Sequence, residues 1–348
     1  SADEHHFLIA WNLWLHHHVA GNLEQAGRWS DKVVRLADPS ASEEHRLEAH
    51  HAAWTTALSR GRMTTARSHC ESGIAIYTPE RHHDCTYSYG GHDPGVCGHA
   101  HVGVALSLLG FLDQALRHGH QAIALAESVG HGPSITIARG FFSFQFFIRR
   151  NPKVLLEVAE QGIAAAERFG PPNFRPHSQS GLGWAKAALG HGQDGLADAE
   201  TAIAFYKQTG ATMRLPGFLL ALGEIYQALG DLPKALSAVD DALRLIGDGA
   251  EKYSWADVTR LKAEILLAQS SEHGDAAETL FREAMEIAAQ QEARLLELRA
   301  AVGLARHWRS QDRTAEAYKL LAPIYGWFTE GFDTSDLNEA KELLNALK

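Results

Sequence analysis

"LGEIYQALGDLPKALSAVDDAL", residues 222–243, carries the pattern that sets the fold. Gly223, Tyr226, Ala235, Val239 and Ala242 fall at helical spacing on either side of Gly230, so the stretch reads as helix, turn, helix. The small residues let the two helices approach closely, while Tyr226 and Val239 fill the space between one hairpin and the next. Gly230 supplies a turn that leaves a helix without strain.

The same hairpin recurs along the chain. Its turn falls at Gly21, Gly61, Gly110, Asn151, Gly190, Gly230, Ser270 and Ser310, in steps of 40, 49, 41, 39, 40, 40 and 40 residues. The small residue of the second helix returns as Ala26, Ala66, Ala115, Gly195, Ala235, Ala277 and Ala315, and Leu156 breaks the series. This is the tetratricopeptide pattern with longer helices, since the usual period is about 34 residues. The expected fold is all-α, a right-handed α-solenoid of about eight tetratricopeptide-like helical hairpins with a C-terminal capping helix.

One superhelix is expected over residues 1–348, with repeats one and two in 1–77, an inserted loop in 78–95, repeats three to eight in 96–332 and the cap in 333–348. In the cap, Asp333, Thr334 and Ser335 are candidate N-caps, and Leu337, Leu343, Leu344 and Leu347 share one side to cover the last repeat. Pro39, Pro79, Pro94, Pro133, Pro171 and Pro172 fall between units, whereas Pro152 and Pro233 sit at helix starts, where a missing N–H costs nothing.

Composition narrows the function. The formal charge of −10 argues against nucleic acid as a partner of this segment. No run of 18 apolar residues exists, so no membrane span is expected. The start lacks a signal-peptide pattern and begins almost inside a helix, which predicts a piece of a longer polypeptide. Three cysteines, Cys70, Cys85 and Cys97, predict a reducing cytoplasm rather than a disulfide framework.

The period slips once, and histidine collects there. Seventeen of the 21 histidines lie at or before His131, and "YTPERHHDCTYSYGGHDPGVCGHAH", residues 77–101, holds five of them with two cysteines and two aspartates. Gly90-Gly91 and Asp93-Pro94-Gly95 are turn chemistry, so the segment folds back on itself. It is expected to be ordered against the mouth of the groove, with Asp93 capping the helix that starts near Gly95. His92 and His101 are then expected beside His51, titrating near neutral pH.

"YGGHDPGVC" and "LLAPIYGWFTEGFDTSDLNEAKELL" resemble the C-terminal tetratricopeptide region of bacterial multidomain signalling proteins, over essentially the whole chain. In that family a nucleotide-cyclase or DNA-binding output domain is followed by a STAND-type NTPase and then this region. The long hairpins are also similar to the superhelical sensor domain of the maltose-regulon activator, which binds a small inducer. The resemblance implies a sensing or docking arm whose partner is an N-terminal NTPase and output domain of the same polypeptide. No G-x-x-x-x-G-K-[ST] occurs here, so any nucleotide chemistry belongs to that other part.

Three sets of residues are candidate sites. In the groove, repeat register points Trp11, His18, Glu48, His51, Phe141, Gln145, His177, Trp184, Arg214, Glu224 and Arg260 inward, a mix of aromatic platforms with donors and acceptors. Arg139, Arg149, Arg150, Arg175 and Arg214 are candidates to hold a carboxylate or phosphate. For a metal ion, the candidates are His51, His92, Asp93, Cys97 and His101, although their spacing matches no zinc pattern. Glu48-x-x-His51 would suit half of a di-metal site, which needs a second copy and two further carboxylates, and a solvated helix face is the expectation. "GFFSFQFFIRR", residues 140–150, is apolar on every side and reads as core.

No G-x-S-x-G or H-E-x-x-H is present, and no glycine-rich run follows a strand pattern as a dinucleotide fingerprint requires, so no catalytic residue and no cofactor are expected, with a divalent metal as the open candidate. The leading reading is a non-enzymatic domain binding a small molecule or peptide in its groove. The alternative is a metal- or haem-binding module on the histidine-rich N-terminal repeats.

Overall fold

The structure of the protein, a computed structural model, describes residues 2–37, 41–170 and 174–348. Pro39, Pro171 and Pro172 lie outside the described residues. Among those described, every regular element is helical, and the chain is an α-solenoid.

Helices pair in sequence: α1 (Ala2–Val19) with α2 (Leu23–Leu36), then α3 (Glu43–Ser59) with α4 (Met63–Ile76). Two single turns follow, α5 (Pro79–His82) and α6 (Cys85–Ser88), inside the segment expected to be a loop. The third and fourth pairs are α7 (Pro94–Leu109) with α8 (Leu112–Val129) and α9 (Gly132–Ile148) with α10 (Pro152–Phe169). Next come α11 (Arg175–Ala188) with α12 (Gly192–Gln208) and α13 (Leu215–Ala228) with α14 (Leu232–Gly247). The last pairs are α15 (Trp255–Gln269) with α16 (Gly274–Gln290) and α17 (Arg294–Ser310) with α18 (Thr314–Tyr325), before α19 (Ser335–Ala346).

The two helices of a pair differ in kind. Nearly every residue of α7 is buried, whereas α8 buries Leu112, Ala115, Gly119, Ala122 and Ala126, a stripe at helical spacing. First helices therefore form an inner layer packed on several sides, and second helices an outer layer with one wet face. The aromatic 140–150 block belongs to the inner helix α9.

Turn chemistry corrects the register in two units. Arg150 and Asp312 have φ of 54° and 62°, so they occupy the left-handed position that glycine holds elsewhere. Five residues beyond them lie Leu155 and Ala317, both fully buried, just as Ala26, Ala66, Ala115 and Ala235 follow their glycines. Leu156 and Ala315, expected at that position, are respectively half-buried and exposed.

The solenoid also winds back onto itself. Thr212, just before α13, donates its hydroxyl to the Ala20 carbonyl (3.2 Å) beside Gly21. Lys252, just before α15, donates its N–H to Ser59 O (2.7 Å), and Gln291 reaches across Gly61 to Lys252 O (2.7 Å). Phe328 and Trp327, after α18, press on Gly110, and Glu330 accepts the N–H groups of Asp113 and Gln114 (2.9 and 3.0 Å) at the start of α8. The first, second and third hairpins thus meet elements about five hairpins further on. This seam deepens the expected groove into a chamber that stays open to solvent beside the exposed Val19.

α19 covers the end as expected, with Leu337, Leu343, Leu344 and Leu347 buried. Asp336 on it receives the Arg299 guanidinium through Nε (2.8 Å).

Candidate functional site

The chamber lies between the first three hairpins and the fourth to sixth. Trp11, Trp14 and His18 come from α1, His51 and Thr55 from α3, and Cys97 and His101 from α7. Phe141 of α9, His177 of α11 and Arg214 form the far wall. Its volume is about 300 Å³, the lower end of what small organic ligands occupy. An apolar annex of about 40 Å³, walled by Phe144, Phe147, Phe218 and Tyr253, shares Phe141, Phe174, His177 and Arg214 with it.

The wall is polar in places that the protein does not satisfy. His18 Nδ1, Thr55 Oγ1 and His177 Nδ1 are buried without a hydrogen-bond partner. Each such atom costs about 1–3 kcal/mol until something bonds to it. Burial pushes His18, His51, His92 and His177 down to about 3, with Arg214 adding to the effect at His18 and His177. His101 is likewise driven well below its ordinary value, burial first and Arg214 next. The imidazoles around the chamber are therefore neutral at pH 7, which overturns the expected titration near neutrality; desolvation of the charged form is the reason. Arg214 brings a cation to the lining, paired with Glu251 (3.4 Å) and lying over the Phe141 and Tyr253 rings.

At the rim between the second and third hairpins, three ligating atoms converge. His51 Nε2 lies 3.3 Å from His92 Nε2 and 3.3 Å from Cys97 Sγ, and all three atoms fall within 4.8 Å of one another. Behind them, His51 Nδ1 and Glu48 Oε2 share a proton across 2.9 Å, and His92 Nδ1 donates to Gly90 O at 2.9 Å. Glu48 and His51 are buried, so the helix face expected to be solvated is part of this rim.

Two metal candidates stand outside the convergence. Asp93 spends its carboxylate on Val96 N (3.0 Å), Tyr77 OH (2.7 Å) and His83 Nδ1 (2.8 Å), capping α7. His101 also brings Nδ1 to 3.3 Å from Cys97 Sγ, but that nitrogen donates to Cys97 O (2.9 Å), and the ring packs on Phe141. The ordering of the 78–95 segment follows from Asp93, which also takes Ser134 Oγ on its N–H (2.8 Å).

The groove candidates divide. Trp11, His18, His51, Phe141, His177 and Arg214 line the chamber. Glu48 and Gln145 do not: Glu48 sits behind His51, and Gln145 fills the gap that Gly103 and Gly119 leave between α7, α8 and α9. Glu224 and Arg260 belong to a separate charged cluster with Arg150, Asp257 and Arg299, and the Trp184 indole donates to Glu224 (2.7 Å). The basic residues do not gather either. Arg139 meets Glu127, Arg149 meets Asp333, Arg150 meets Glu224, Arg175 meets Glu167 and Arg214 meets Glu251, so each is neutralised in place. Sequence reasoning missed Tyr206, Met213 and Phe174, which enter the chamber from a helix end and from connections.

No family model matches the chain. It is 25% identical over 303 residues to an uncharacterized protein of Rhizobium meliloti (strain 1021), covering 86% of this chain. The chain spans 29% of that relative's length. Among solved structures it is similar to a Rap protein complexed with Competence and Sporulation Factor, with a TM-score of 0.62, 12% identity, and 99% and 97% of the two chains covered. It is also similar to NprR in complex with its cognate peptide NprX, with a TM-score of 0.61, 12% identity and coverage of 97% and 96%. At these identities the likeness is one of fold.

Proposed function

We propose that this chain is the ligand-sensing arm of a longer regulatory protein and that a small molecule, or one end of a peptide, is held in the chamber. The observation that carries the reading is a cavity of about 300 Å³ whose wall leaves His18 Nδ1, Thr55 Oγ1 and His177 Nδ1 without partners. A ligand with matching donors or acceptors recovers those bonds while the aromatic wall covers its apolar part. The similar structures support the reading, since Rap is complexed with Competence and Sporulation Factor and NprR with its cognate peptide NprX.

The ligand would touch the first three hairpins on one side and the fourth to sixth on the other, so its binding favours the closed seam over an opened one. That differential affinity is what a switch requires. The output would be the NTPase with a cyclase or DNA-binding domain that the sequence resemblance implies, and the greater length of the Rhizobium relative leaves room for such parts.

Thermal unfolding in the presence of a panel of organic acids, amines and short peptides tests this. A true ligand raises the midpoint of the unaltered chain and fails to raise that of His177→Ala. Ligands that stabilise both proteins equally, or a panel that stabilises neither, would count against the chamber as the binding site.

A further inference from the structure

We propose that His51, His92 and Cys97 bind a divalent transition-metal ion of the zinc class, with a fourth position open to the chamber. The inference stands on the rim geometry and does not depend on the sensing role proposed above.

Hydrogen bonding gives the first reason. Gly90 O can only accept, so His92 Nδ1 carries the ring proton and Nε2 presents a lone pair. That lone pair points at His51 Nε2, 3.3 Å away. With the shared proton on His51 Nδ1, toward Glu48, His51 Nε2 presents a second lone pair, and the Cys97 thiol 3.3 Å away has one proton for the two. In that tautomer a cation placed among the three satisfies every lone pair at once.

Distances give the second. The donors around a tetrahedral zinc ion lie about 3.3–3.7 Å apart for bonds of about 2.0–2.3 Å. The two contacts of 3.3 Å already meet this, and His92 needs only a small rim movement to bring its distance from Cys97, at most 4.8 Å, into range.

The third reason is what stands behind the ligands. A metal on His51 Nε2 draws the shared proton onto Nδ1, facing Glu48, and His92 is held by a carbonyl in the same sense. Such outer partners orient imidazoles at metal centres. Two nitrogens with one sulfur favour zinc-like ions over magnesium or calcium, which take oxygen. His51, Cys97 and His92 all line the chamber, so the remaining coordination position faces it and suits a carboxylate, thiol or amine of an incoming molecule.

The test uses the full 348-residue chain, without an affinity tag, stripped with chelator and titrated with Co²⁺. The expected result is one Co²⁺ per chain with tetrahedral visible bands and a thiolate-to-cobalt charge-transfer band, both lost on adding Zn²⁺. Cys97→Ser removes the charge-transfer band, and it and His92→Ala each weaken Co²⁺ binding by at least about tenfold. His99→Ala, which breaks the separate two-histidine contact of His99 with His118, leaves binding unchanged. Far-UV circular dichroism confirms that each variant is folded. No Co²⁺ uptake by the folded chain, uptake without the thiolate band, or equal binding by Cys97→Ser and His92→Ala would overturn the assignment. Loss of binding in His99→Ala equal to theirs would overturn it as well.

Discussion

Alanine at Gly110 and at Gly190 makes a matched pair that measures the seam. Both glycines end an inner helix in the left-handed region, with φ of 96° and 94°. Alanine there costs about 1–2 kcal/mol at either position because its Cβ crowds the following carbonyl. The surroundings differ. A Cβ on Gly190 meets nothing within 4 Å, whereas one on Gly110 comes within 2.9 Å of ring atoms of both Phe328 and Trp327 and 3.4 Å of Arg294 Cβ. Phe328 is buried, so its ring cannot swing into solvent. Overpacking of this kind adds about 1–3 kcal/mol, which brings Gly110→Ala to about 2–5 kcal/mol against about 1–2 for Gly190→Ala. Urea unfolding of both variants, with the slope checked against the unaltered chain, gives the two values. Equal losses at the two positions would mean that the eighth hairpin does not sit on the third in solution, and that part of the seam would fall.

Arg214→Ala is expected to cost about 3 kcal/mol or more near pH 8, because it strands the buried Glu251 carboxylate. Burial already pushes Glu251 up to about 7 despite Arg214. A carboxyl raised in this way favours the fold below its unfolded value and loses that contribution as pH rises through the folded one, so the variant should suffer less near pH 5; an equal loss at both pH values, read by urea midpoint, would contradict the pairing. Asp257 behaves oppositely: burial alone would raise it, but Arg260, Arg299 and Arg150 hold it well below the usual range. Its contribution is present above the unfolded carboxyl value and lost as pH falls, so the midpoint should drop below about pH 4, and a midpoint unchanged to about pH 3 would refute it.

The hairpins were legible because small residues and turn formers recur at a fixed period, which is a local property. Two turns escaped because Arg150 and Asp312 adopt a left-handed backbone without being glycine. The chamber escaped in part because the same letter means different things: Gly110 is packed under rings and Gly190 faces open space. Contacts between residues separated by about five hairpins leave no periodic trace. Glu48 and His51 read as a polar helix face, and only the neighbouring hairpin, bringing Cys97 and the turn before His92, makes them interior. The convergent trio spans α3, a turn and α7, so no linear spacing rule could pick it out, although each member stood among the candidates.

The winding seam also bears on how the chain is made. Repeat arrays in which each unit touches only its neighbours can nucleate anywhere and propagate. Here Thr212 must reach Ala20 across 192 positions, and Glu330 must reach Asp113 across 217. Those closures raise contact order and delay the final step until the last hairpin has been synthesised. A nascent chain would leave the ribosome with its first three hairpins formed but their far wall missing, since Met213 and Arg214 arrive late. Truncated or stalled products would then carry exposed tryptophan and histidine surface, a natural mark for chaperones to hold until the circuit closes.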